Sequence, residues 1–134
     1  MIKYIRKYYQ IGNKSWWEME IHYKNSKIKK LCSQHKRAKK EINSIVAEKL
    51  MMAINFIESA ETLLDVKNYP PFRFHELKGN RKGTYAIDLG RRAGYRLILK
   101  PVSIEGEEIK DEEGFYQFEM IKVVEILEVS PHYE

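Results

Sequence analysis

The sequence predicts an α+β domain: an antiparallel sheet of about five strands with an N-terminal helical pair packed on one face. Three observations predict it. Residues 41–61 carry an apolar stripe at helical spacing, residues 71–101 alternate as three short strands around two Gly-containing turns, and residues 115–129 form a final apolar run. The chain has 134 residues with 43% hydrophobic content, enough for one core, so residues 1–134 are expected to form a single domain.

Met1 to Ser15 is basic and aromatic without a decisive period, and stands as an N-terminal extension. From Trp16 to Tyr23 the pattern alternates, with Trp17, Met19, Ile21 and Tyr23 on one face and Glu18, Glu20 and His22 on the other. That is a half-buried first strand. Asn25 and Ser26 suit an N-cap, and Ile28, Leu31 and Cys32 follow at helical spacing, so a short helix is expected to about Gln34. The cationic run His35 to Lys40 admits two readings, a solvated helix face or a phosphate grip.

From Glu41 to Glu61 a helix presents Ile42, Ile45, Val46, Leu50, Ala53, Ile54 and Ile57 as its core stripe, flanked by Met51, Met52 and Phe56. Thr62 to Tyr69 is a connector, and Pro70-Pro71 forces extended backbone before the next strand. The expected meander is Phe72–Leu77, a turn at Lys78–Lys82, Gly83–Leu89, a turn at Gly90–Gly94, and Tyr95–Lys100. Glu105 to Gly114 is an acidic loop or hairpin. Phe115–Val129 is a long strand, apolar on both faces and therefore central in the sheet.

Charge is unevenly placed. The net charge is +5, yet from Glu105 onward ten acidic side chains stand against Lys110 and Lys122. The 71–101 stretch holds eight Lys or Arg (Arg73, Lys78, Arg81, Lys82, Arg91, Arg92, Arg96, Lys100) against Glu76 and Asp88. Strands with cationic neighbours suit a polyanion, whose phosphates are held with release of counterions.

Other chemistries lack their residues. His22, His35, His75 and His132 have no metal-ligand spacing, Cys32 stands alone, and no calcium-loop pattern occurs, so no metal and no cofactor are expected. Gly-x-Ser-x-Gly, Walker and Gly-x-Gly-x-x-Gly patterns are missing as well. No apolar run approaches the ~20 residues that cross a bilayer, and the amino terminus lacks a signal-peptide core, which predicts a cytoplasmic protein.

A basic strand surface with imidazoles and phenols matches the needs of metal-free RNA cleavage. The 2′-hydroxyl attacks its own phosphodiester, so the protein supplies a base, cations for the phosphorane oxygens, and an acid for the leaving oxygen. Each candidate has a structural alternative: His75 a satisfied strand histidine, Arg96 a cross-strand partner of Glu125 rather than a neighbour of Tyr133, and His132-Tyr133 a frayed end.

These residues carry a resemblance. His75-Glu76-Leu77-Lys78-Gly79-Asn80-Arg81-Lys82-Gly83 and Tyr95-Arg96-Leu97, with Val-Val-Glu-Ile-Leu-Glu-Val before a terminal His-Tyr, resemble the HigB-like plasmid-maintenance killer proteins of the RelE/ParE toxin superfamily over about residues 17–133. The resemblance implies a RelE-like fold and a bacterial toxin that cuts mRNA, typically on the translating ribosome, and is neutralised by a helix-turn-helix, HigA-like antitoxin. It implies catalytic roles for His75, Arg81, Arg96, His132 and Tyr133, and RNA binding by Lys78; Arg73, Lys82, Arg91 and Arg92 join the RNA-binding set from the basic cluster. The family's terminus reads Asp-Tyr-His where this chain reads Ser130-Pro131-His132-Tyr133, so acid and base roles at the tail stay open. Two other readings keep the fold: a non-enzymatic gyrase inhibitor of the ParE kind, or a degenerate homologue that only binds RNA or antitoxin.

Overall fold

A computed structural model describes residues 18–90, 92, 94–104 and 108–131. The whole of the expected N-terminal extension, Trp16, Trp17, Arg91, Ala93, Glu105–Glu107 and His132–Glu134 lie outside the described residues. Five strands and four helices follow in the order β1 (Glu20–Tyr23), α1 (Ser26–Ser33), α2 (His35–Glu41), α3 (Ser44–Ser59), α4 (Leu63–Lys67), β2 (His75–Glu76), β3 (Tyr85–Asp88), β4 (Tyr95–Val102) and β5 (Val123–Pro131).

Local chemistry sets the helix boundaries. The Asn25 carboxamide accepts the Ile28 N–H at 2.9 Å and opens α1. Asn43 does the same for Val46 at 2.9 Å, so α3 begins at Ser44, and the residues before it belong to the separate helix α2. The expected start at Glu41 is thus corrected: an Asx cap outranks a continuing apolar stripe. Asn43→Ala is expected to lower the unfolding free energy by about 1 kcal/mol, measured as a shifted urea midpoint with an unchanged slope.

Ile45 leaves the core stripe, 65% exposed, while Ala47 is buried. At about 100° per residue, Ile45 sits on the flank opposite Ala47 once Val46, Leu50, Ala53 and Ile57 define the buried centre. Thr62, expected as connector, caps α4 instead, its hydroxyl accepting the Leu64 N–H at 3.3 Å.

The sheet order is β1-β5-β4-β3-β2. Pairs β2–β3, β3–β4 and β4–β5 are antiparallel, as the meander predicts, but β1 pairs with β5 in parallel, so the sheet is mixed. The intervening chain brings β5 back beside β1 in the same direction, a pairing no hairpin can make. β5 is interior, flanked by β1 and β4. It starts at Val123 rather than Phe115, because a 3-10 turn at Phe118–Met120 precedes it. β2 shrinks to two residues, since Pro70–Phe72 forms a 3-10 turn and Arg73 adopts a left-handed backbone, φ 47.

One sheet face carries the main core. Ile87, Leu89, Leu97, Leu99, Val124 and Ile126 pack with Val46, Leu50, Ala53 and Ile57 of α3 and Cys32 and Ala38 of the shorter helices. Burial pushes the Cys32 thiol from its ordinary value of 9.0 up to about 12, and burial likewise raises the Tyr23 phenol to about 12. The unfolded thiol loses its proton from about pH 9 while the folded one keeps it, so stability falls as pH climbs towards 12. At pH 8 native Cys32 is expected to resist alkylation and to react on unfolding, read by mass spectrometry with and without denaturant.

The opposite face is different. A small cluster of Leu77, Ala86 and Ile98, joined by half-buried Leu127, floors it. The functional candidates gather around that floor.

Candidate nucleic-acid interface

Cross-strand register sets which side chains share this face. Paired residues point to the same side, so His75, Ala86, Ile98 and Glu128 form one row and Asp88, Arg96 and Ser130 the next. A register shift between Ile98 and Leu99 pairs Ile98 with Glu128 and Leu99 with Ile126, leaving Leu127 as the extra residue. This bulge turns Leu127 and Glu128 to one side, where Leu127 joins the floor.

His75 stands exposed at the β2 end of the first row. Its Nδ1 lies 2.8 Å from the carbonyl oxygen of Arg73. A carbonyl only accepts, so Nδ1 donates here and Nε2 is the ring nitrogen left open toward the face. The carbonyl is aimed by the left-handed turn of Arg73, the one non-glycine among the described residues with positive φ. The Arg73 side chain is anchored too, with Nε 3.1 Å from Asp88 Oδ2.

Arg81 ends the 3-10 turn Gly79–Arg81 between β2 and β3, and its guanidinium pairs with Glu128 on β5. The side chain therefore crosses the face above Ala86 and Ile98, which the small Ala86 side chain accommodates. The turn is braced by the Glu76 carboxylate, which accepts the Gly83 N–H at 2.9 Å, and by the Thr84 hydroxyl, which donates to the Arg81 carbonyl at 2.6 Å. Gly83 sits at φ 93, a backbone that side-chain-bearing residues adopt only under strain. Lys78 and Lys82 flank this turn, exposed and outside every ion pair among the described residues.

Arg96 occupies the middle of the face on β4, between Asp88 and Ser130. It is half-buried, and its Nε is buried with no hydrogen-bond partner among the described residues. Leaving such a donor unmet costs about 1–3 kcal/mol, a cost that an arriving anion removes. The cross-strand partnership of Arg96 with Glu125 does not form: Glu125 faces Lys100 at 3.5 Å. The register puts Ser130 opposite Arg96 because the strands overlap further along β5. Arg92 is exposed in the turn joining β3 to β4.

The structure thus brings His75, Arg81 and Arg96 to one face, with Arg73 at its rim. Sequence reasoning missed Glu128 as the Arg81 partner, since the bulge that aims it cannot be read from alternation. It also missed a pocket of about 530 Å³, lined by Lys49, Met52, Tyr69, Pro70, Pro71, Phe72, Arg73, Asp88 and Gly90, whose rim shares the Arg73–Asp88 pair with the sheet face. Among the described residues no three His, Cys, Asp or Glu side chains gather as a metal site, and no helix is long and apolar enough to cross a membrane.

Comparison with known proteins adds a family. The model of the RelE-like toxins of the type II toxin-antitoxin system HigB matches residues 20–111, from β1 through β4. A YoeB/ParE toxin from Agrobacterium tumefaciens is among the similar solved structures, with 14% identity over 86% of this chain and 100% of its own, at a TM-score of 0.48. No curated protein matches the sequence.

Proposed function

Because the chain belongs to the HigB-like family of RelE-like toxins of type II toxin-antitoxin systems, we propose that it is a metal-independent endoribonuclease that cuts mRNA on the translating ribosome. Type II membership implies an antitoxin partner, and the reading extends this to a helix-turn-helix, HigA-like protein that silences the nuclease in the cytoplasm. The observation that carries the reading is the buried Nε of Arg96, without a partner among the described residues, in the middle of a face that also holds an imidazole nitrogen of His75 unpaired among them.

The reaction needs no outside reagent. His75 Nε2 takes the proton from the ribose 2′-hydroxyl, O2′ bonds to the adjacent phosphorus, and the P–O5′ bond breaks. The products are a 2′,3′-cyclic phosphate and a 5′-hydroxyl. Charge that builds on the phosphorane oxygens is met by the Arg96 guanidinium and by Arg81, which Glu128 holds over the floor. The proton for the leaving O5′ comes from His132 or Tyr133. Two strands and two residues separate His75 from Arg96, a Cα distance of about 12 Å, which the two side chains span with a phosphate between them.

RNA is held by Lys78, Lys82, Arg91 and Arg92 around the turns, with Arg73 at the rim. Paired Arg73 and Arg81 contribute less to first encounter than the unpaired lysines, because Asp88 and Glu128 already offset their charge. The test is induced expression in a bacterial host. Growth arrest with loss of full-length mRNA supports the nuclease; arrest with intact mRNA and a DNA-damage response replaces it by a gyrase inhibitor, and no arrest by a binder without activity.

A further inference from the structure

The α1–α2 hairpin carries charge that its own folding does not use. Eight Lys or Arg lie between Lys24 and Glu41, and the one acid in that span, Glu41, pairs with Arg37 at 3.2 Å. Neither helix has an acidic residue in its first turn. Instead Lys27 and Lys29 open α1, and Lys36 and Arg37 open α2, where the positive end of the helix dipole opposes them. The dipole favours Lys30, Lys39 and Lys40 in the last turns. Lys36 and Lys40, however, stand four residues apart on the face opposite buried Ala38, a repelling pair. Charges set against the helices that bear them point to a partner.

The hairpin lies away from the proposed cleavage face. Cys32 and Ala38 anchor it in the core on the helical side of the sheet, and α1 contacts β1 and β5, whereas His75 and the Arg81 turn lie at the β2 edge on the other side. Five strands put those edges about 19 Å apart. One stretch of single-stranded RNA in the cleavage site does not also cover the hairpin.

We infer that the α1–α2 hairpin is a second RNA-binding surface, which grips the phosphates of folded, double-helical RNA while the sheet face handles the strand to be cut. The residue types select this occupant. Residues 24–41 contain no Phe, Tyr or Trp, and of the two groups there that can stack on a base, His35 and Arg37, the second is tied to Glu41, so lysine charge rather than base stacking dominates the surface. Lysines on flexible stems act as point charges suited to a phosphate backbone, and RNA duplexes are recognised by shape and phosphate rather than base edges. The inference rests on the nuclease reading for its purpose, since such a grip would hold the toxin on structured RNA near its substrate.

The test uses the full chain and a synthetic RNA duplex of about 16 base pairs, the length that a duplex-binding module covers. The K29Q/K30Q/K36Q/K40Q variant changes only exposed side chains, and its thermal midpoint is checked against the native chain. Its affinity for the duplex is expected to fall at least about 10-fold at low salt, with a salt dependence shallower by about 2–3 in log-log slope. Arg96→Ala is expected to keep duplex affinity within about twofold, as a separate surface requires. Unchanged duplex binding by the fourfold variant overturns the inference. Equal loss in Arg96→Ala overturns it too, as does a fourfold variant that keeps duplex binding but no longer binds an acidic antitoxin. Failure of the nuclease reading is seen separately, as induced expression of the native chain that leaves mRNA intact.

Discussion

Arg96→Ala is expected to lower the rate of mRNA cleavage by about 10²–10³-fold, the usual effect of removing one preorganised donor from a developing oxyanion. The expectation follows from place and bonding. Arg96 lies between Asp88 and Ser130 on β4, and its Nε has no partner among the described residues. A donor buried without a partner among the described residues is organised before substrate arrives. Its removal deletes no hydrogen bond from Nε to any described residue, so the thermal midpoint should move by only a few degrees, through lost packing of the aliphatic stem. Arg96→Lys restores charge but not the planar fork, and recovers only part of the rate. Single-turnover cleavage of mRNA on translating ribosomes measures both rates and a thermal melt the midpoint; native rates in Arg96→Ala would remove the residue from the mechanism.

His75→Ala is expected to cost about 10²–10⁴-fold in the same assay, the range for loss of a positioned general base. The imidazole is exposed, so its loss leaves the core intact. The bond from Nδ1 to the Arg73 carbonyl, 2.8 Å, fixes the tautomer that presents Nε2. His75→Gln keeps a hydrogen-bonding side chain without a base and should be as slow as His75→Ala. Native rates in either variant would assign the base to another group.

Much of the fold was legible because its cues are local. Gly79, Gly83, Gly90 and Gly94 all take positive φ and punctuate the meander between alternating strands. Asn25 caps α1 where its residue type predicts. What escaped depends on distant or subtle partners. The parallel register of Glu20 with Val123 joins segments about a hundred residues apart, and no local pattern distinguishes it from an antiparallel edge. The left-handed Arg73 delays to His75 a strand that the alternation of Phe72-Arg73-Phe74 predicts to start at Phe72.

The candidate site divides the same way. Strand alternation sets Arg96 on the face away from Tyr95, Leu97 and Leu99, and the cross-strand register adds His75 to that same face. The ion pairs that decide which cations are free, Arg73 with Asp88 and Arg81 with Glu128, required the register and the bulge at Leu127. The tail residues His132 and Tyr133 lie outside the described residues, so the acid of the proposed reaction rests on sequence alone. β4 and β5 run in register as far as Tyr95 opposite Pro131, which directs the chain past Arg96 just before those residues.

The central claim is tested most directly by mapping mRNA 5′ ends after induced expression of the native chain and of Arg96→Ala. Codon-phased ends that carry a 5′-hydroxyl in the native culture and disappear with Arg96→Ala are the predicted result. Growth arrest with no new mRNA ends, or the same ends in both cultures, would contradict it.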